Sequence, residues 1–146
     1  MNYLINTQSN GIFEYDQDYY TLAKNLRTEP WRQATEQEVK PYLVEKHILR
    51  IKEEAARRIN NQYPLWKQSN IQGQAIDILC REQKQRAIDP SYRLSEEDKT
   101  VLRGADSVKS GIAYLQEKSN ILEASLSQFS LEELEAFNCA DDSLWA

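Results

Sequence analysis

Few residues in this chain are of types and spacings that do chemistry. His47 is the single histidine among 146 residues. Its neighbours on a helical face are Leu43, Arg50 and Ile51, with no recognisable carboxylate–serine pair. A structural role is therefore expected over general base catalysis. Cys80 falls on an apolar segment and Cys139 near an acidic tail. Reactive thiolates need positive surroundings, so both are expected to be packing residues. Two cysteines this far apart also make neither a disulfide framework nor a zinc site. Asp16, Asp18, Asp141 and Asp142 could attract a hard cation, but they lack the regular acid spacing and the glycine of a calcium loop. There is no phosphate-cradling glycine loop and no nucleophile elbow. These residues imply a non-enzymatic protein with no cofactor and no metal.

The composition bounds the rest. A mean hydropathy of -0.73 and only four glycines and four prolines point to a mostly helical chain rather than a many-turned β fold. No apolar run approaches the ~20 residues that span a bilayer, and the N-terminus has no secretory pattern. Charge is uneven. Residues 40–86 carry ten basic and five acidic groups, whereas residues 120–146 carry six acidic groups and no basic one. A basic middle could bind nucleic acid. However, Lys46, Arg50, Lys52, Arg57 and Arg58 alternate with Glu45, Glu53 and Glu54. That is the pattern of a solvated helix face with its own ion pairs.

The elements read as follows. Tyr3-Leu4-Ile5 and Ile12-Phe13-Glu14-Tyr15 are β-prone runs, and Asn10-Gly11 supplies the positive φ angles of a hairpin turn. A short helical turn falls in Thr21 to Arg27, and residues 29–34 read as a linker. Thr35 and Glu38 form a capping box that starts a helix, with Pro41 expected to kink or restart it. Val44, Ile48, Ile51, Ala55 and Ile59 make an amphipathic stripe. Tyr63-Pro64 breaks the pattern. A second helix follows, with Leu65, Trp66, Ile71, Ala75, Ile76, Ile78 and Leu79 as its apolar positions, fading in the polar run Arg81 to Arg86. Ser95 caps a third helix. There Val101, Ala105, Val108, Ile112, Leu115, Ser119 and Leu122 form a heptad seam. The seam must be buried within the chain or between copies of it, and the Val44–Ile59 stripe is the expected partner. Ser130 and Glu133 form a capping box for a last short helix, Leu131 to Phe137. The expected fold is mainly α: long helices in an antiparallel hairpin or small bundle, with a small N-terminal β-hairpin. Residues 1–30 form the hairpin and an aromatic docking segment, and residues 31–146 the helical domain.

Tyr3, Phe13, Tyr15, Tyr19, Tyr20 and Trp31 crowd into the first 31 residues. Either they cement the hairpin onto the helices or they form a partner-binding surface, since Tyr and Trp are enriched at interfaces.

Further along, I-K-E-E-A-A-R-R-I-N-N-Q-Y-P-L-W-K-Q-S-N-I (51–71) resembles a group of small tail-associated, tail-fibre assembly-like proteins of tailed bacteriophages and prophages. Trp31 to Val39 is similar to their W-R-x-A-T-x-E-E-V opening. Residues 119–126 and 131–138, with the late Trp145, are similar to their usual ending. The resemblance covers roughly residues 31–146. It implies a non-enzymatic phage tail protein that binds the tail fibre or baseplate, as a virion connector or as a fibre-assembly chaperone. It would reside in the virion tail, or in the host cytoplasm during assembly, with no catalytic residues. No membrane or nucleic-acid partner is expected, and a homo-oligomer is compatible with the seam. The alternative is a nucleic-acid-binding regulator using residues 40–86; a small host-directed enzyme is a weaker one.

Overall fold

The structure is a computed structural model that describes residues 1–146. It is mainly α, with a small antiparallel sheet at the N-terminus. In order the elements are β1 (Asn2–Asn6), β2 (Ile12–Tyr15), β3 (Trp31–Gln33), α1 (Glu36–Gln62), α2 (Leu65–Ile88), α3 (Glu96–Ser125) and α4 (Leu131–Ala136). Short 3-10 turns lie at Tyr19–Thr21, Lys24–Leu26, Leu126–Gln128 and Asp142–Leu144. The contacts gather into two compact units, one of residues 1–52, 121–144 and 146, the other of residues 53–120 and 145.

In the first unit the sheet has three strands in the order β2-β1-β3. Residues 31–33, read from the sequence as linker, are β3. They pair with β1 through Leu4↔Gln33, Ile5↔Arg32 and Asn6↔Trp31. Three residues are too few to show an alternation; the strand exists because β1 offers it an open edge. The hairpin loop is also wider than a two-residue turn. Asn6 N–H donates to the Gly11 carbonyl (2.9 Å), and the Asn6 side chain accepts from the Gln8 and Ser9 amides. Only Asn10 takes a positive φ, of 57°, and Gly11 does not.

Register assigns the two faces of the sheet, because directly paired residues point the same way. Tyr3, Ile5, Ile12, Glu14 and Arg32 share one face; Leu4, Phe13, Tyr15 and Trp31 share the other. The first face meets α1. Tyr3 stacks edge-on against Tyr42, with ring centroids 6.4 Å apart. Glu14 pairs with Lys46, and Arg32 forks onto Glu38 at 2.9 and 2.6 Å. Beneath them Val39, Leu43, Ile51, Leu126 and Leu134 are buried, Ile51, Leu126 and Leu134 completely.

The start of α1 differs from a reciprocal capping box. Glu38 accepts from the Thr35 amide (2.9 Å), as expected. The Thr35 hydroxyl, however, donates to the same carboxylate, held there by Arg32, instead of accepting from the helix. Pro41 does not restart α1, which runs unbroken from Glu36 to Gln62. It sits exposed in the second turn, where a helix of 27 residues tolerates one missing donor. The box at α4 is complete: Ser130 Oγ accepts from Glu133 N–H and Glu133 accepts from Ser130 N–H.

In the second unit α2 and α3 form an antiparallel hairpin. A Cβ on Gly104 would lie 3.3 Å from Ile71 Cδ1, and one on Gly111 would overlap the Tyr63 hydroxyl, while Arg81 pairs with Asp98. These contacts step up one helix as they step down the other. Tyr63-Pro64 separates α1 from α2 as expected, but α2 does not fade at Arg81; it continues to Ile88 because Gln, Lys and Arg are good helix formers. Of the α3 seam, Val108, Leu115 and Ser119 are buried and the other four positions are half-buried. Over Ala105–Ile112 the seam lines a groove shared with Ile71 and Ala75 of α2.

Candidate docking surface

The six aromatics are divided by the pleat of the sheet. Tyr3 is only 6% exposed, and its hydroxyl donates to Glu135 (3.1 Å). Burial and the Glu135 carboxylate together raise its pKa. A partner cannot reach it, so Tyr3 serves the interior. Tyr15 is half-buried, with a hydroxyl that is enclosed and without a hydrogen-bond partner. Its pKa is raised by burial and then by Tyr19 and Asp18. Tyr19 and Tyr20 stack edge-on at 5.6 Å on the turn after β2, with Tyr20 78% exposed.

Phe13 and Trp31 belong together. They sit on the two outer strands, on the same face, and their rings meet edge-on at 5.0 Å across β1. Phe13 is 53% exposed. Both strands are sheet edges. On β3 the Trp31 N–H already donates to the Thr28 carbonyl (2.9 Å) and the Gln33 carbonyl accepts from Arg32 (3.1 Å), so the aromatic pair is displayed beside one open edge, that of β2. Such an arrangement can bind an extended segment by strand addition, with apolar side chains against the rings. Sequence composition identified the rings; the register that turns Phe13 out and Tyr3 in required the structure.

The basic middle is largely occupied by carboxylates. Glu54, itself buried, holds both Arg57 (2.6 Å) and Arg58 (2.7 Å), which lower its pKa against the opposing effect of burial. Lys46 is taken by Glu14, Lys52 by Glu123, Arg81 by Asp98 and Arg86 by Glu82.

His47 is 4% exposed, and its Nε2 lies 2.8 Å from the Leu134 carbonyl, so Nε2 carries the proton and donates. Nδ1 has no partner, and the ring stacks edge-on with Phe137. Burial lowers its pKa, with Arg50 and Lys46 acting the same way and the Leu134 bond and Glu14 opposing. Beside it is a cavity of about 140 Å³ lined by Tyr3, Glu14, Lys46, Arg50 and Glu135 among others. Cys80 is exposed, Cys139 half-buried, and neither is in a disulfide. No three His, Cys, Asp or Glu side chains converge to hold a metal ion, and no helix is long and apolar enough to cross a membrane.

The outer side of α2 was not singled out from the sequence. Of its apolar positions only Ile78 is buried, while Leu65 (72%), Trp66 (68%), Ile76 (59%) and Leu79 (50%) are exposed. No family model, no curated protein and no solved structure matches the chain.

Proposed function

We propose that this chain is a non-enzymatic binding protein of a bacteriophage tail, which docks a tail-fibre or baseplate protein through its N-terminal sheet. The observation that carries the docking reading is the Phe13–Trp31 pair, displayed beside the open edge of β2. The nature of the partner rests on the resemblance of residues 31–39, 51–71, 119–126 and 131–138 to phage tail-associated proteins. The ion pairing of Arg57, Arg58, Lys46 and Lys52 favours protein docking over nucleic-acid binding, because a phosphate-tracking stripe works through basic groups free to displace counterions.

The test is co-expression with each fibre and baseplate protein of the same phage, followed by affinity capture. The parent chain should retain one of them. Phe13→Ser with Trp31→Ser should lose it while keeping the parent's circular dichroism. Retention by the double variant would place docking elsewhere on the chain. Absence of any fibre or baseplate complex, with salt-sensitive binding to a random duplex instead, would support the regulator.

A further inference from the structure

We propose that the outer face of α2 is a self-association surface, on which a second copy of this chain packs its own α2 antiparallel about a two-fold axis beside Ile76. The proposal concerns α2 with the groove it shares with α3, and is independent of the docking reading.

At about 100° per residue, Leu65, Trp66, Gly73, Ile76, Leu79 and Cys80 fall in one sector of about 140°, and every one of them is exposed. The other positions in that sector are Ser, Gln and Ala, with Lys84 alone at its edge. No Asp, Glu or Arg enters it, in a chain with 28% charged residues. Loss of charge, together with aromatic and aliphatic side chains, is what marks the centre of an interface.

Gly73 indicates what covers this face. The other two helical glycines are accounted for within the chain, Gly104 by Ile71 and Gly111 by Tyr63. A Cβ on Gly73 would meet nothing within 4 Å. Glycine in a helix interior is destabilising relative to alanine, and here the chain's own packing gives nothing in return. An antiparallel copy does. With Ile76 on the axis, the layers that form across it are Leu79 with Gly73, Leu65 with Ala87, and Gln72 with Cys80. Each layer on either side of the axis therefore sets a larger side chain beside a smaller one, and Leu79 enters the notch at Gly73. The same register brings Lys84 of the second copy onto the flank of Trp66, a cation–π arrangement. A foreign helix would need this spacing of large and small residues by coincidence; a second copy has it by symmetry.

The area agrees. A helix of 24 residues is about 36 Å long. With the adjoining groove of about 500 Å³ shared with α3, it presents a face about 20 Å wide at the usual spacing of packed helices. That is on the order of 700 Å², close to the roughly 800 Å² per partner of a stable interface.

The test is sedimentation of the full-length chain from about 5 to about 500 µM, where a monomer–dimer equilibrium is expected. A Cβ at position 73 has no neighbour within 4 Å, so Gly73→Leu should melt no lower than the parent, yet weaken association by about tenfold or more by filling the notch. In a Cys80→Ser, Cys139→Ser background, Ile76→Cys should form an intermolecular disulfide under mild oxidation. In the parent the two Cys80 would lie about 12 Å apart along the helices, beyond disulfide reach. A chain monomeric up to the highest concentration would overturn the proposal. So would a dimer indifferent to Gly73→Leu, or ready Cys80–Cys80 cross-linking, which requires parallel helices or an axis at Cys80 instead of Ile76.

Discussion

His47 Nε2 donates a 2.8 Å hydrogen bond to the carbonyl of Leu134, a residue 87 positions further along the chain. The ring is buried against Phe137, with Lys46 and Arg50 beside it on α1 and Glu14 reaching in from β2. A protonated ring here would sit in a site that already disfavours positive charge. The folded-state pKa is therefore below the usual 6.5. Between the two values the unfolded chain binds more protons, so stability is full above about pH 6.5 and falls as the pH drops through the folded pKa. Urea unfolding at pH 8 and pH 5 should show the loss. His47→Ala should remove the pH dependence in that window and lower stability at pH 8 by roughly 1–3 kcal/mol, the cost of a buried unpaired carbonyl. A parent equally stable at both pH values would contradict this.

Acid should act on a second contact at lower pH. Arg32, then the Thr35 amide and hydroxyl, bring the Glu38 pKa down to about 2. A depressed carboxylate contributes stability above its unfolded value, and that contribution is lost as the pH falls from about 4.5 towards 2. Carboxyl NMR should give Glu38 a midpoint near 2, and Arg32→Ala should raise it. An unmoved midpoint would mean the fork is not formed in solution.

Glycine substitutions on the two long helices should have opposite signs. Gly73→Ala adds a methyl group to open space and should stabilise the folded monomer by about 0.5–1 kcal/mol. Gly111→Ala drives its methyl into Tyr63, 2.6 Å from Cζ, and should be net destabilising, since overpacking costs about 1–3 kcal/mol. Adding Tyr63→Ala should cancel the penalty in a double-mutant cycle. Equal melting shifts for the two glycine variants would refute the Tyr63 contact.

Two residues paired across β1 and β2 should separate stability from binding. Leu4 is 4% exposed, and Leu4→Ala should cost about 2–5 kcal/mol. Phe13→Ser on the same face should cost less than about 1 kcal/mol, because much of its ring is already in water. Deleting residues 1–28 removes the central strand with Tyr3, Leu4 and Ile5, so the first unit should lose cooperative unfolding while the helices of residues 53–120 persist by circular dichroism. A truncated chain that melts like the parent would show the sheet to be dispensable.

Much of this fold is legible locally. Ser130 and Glu133 announce α4, Tyr63-Pro64 ends α1, and Ser95 starts α3, because capping and proline sterics act within a few residues. What was not legible depends on distant partners. β3 is a strand only because β1 lies beside it, and Pro41 stays within a helix because the sheet and α4 hold that turn in place. The docking rings were readable as a cluster, but Tyr3 and Phe13 differ in exposure because register puts them on opposite faces and Phe13 lies on an edge strand. On α2, apolar residues occur around most of the helix, so the sequence could not say that Ile78 faces inward and Ile76 outward.

The first unit is assembled from two stretches of chain separated by residues 53–120. On a ribosome adding about 5–20 residues per second, the strands and the start of α1 are made several seconds before Leu126 and Leu134 exist to cover them. His47 waits through the same interval for its acceptor. Residues 53–120, almost contiguous as a unit, can form their hairpin meanwhile. Nascent chains therefore pass through a stage with the helical hairpin made and the first unit still lacking Leu126, Leu134 and the acceptor of His47, and a stop codon placed before Leu126 would fix them there as a target for proteases.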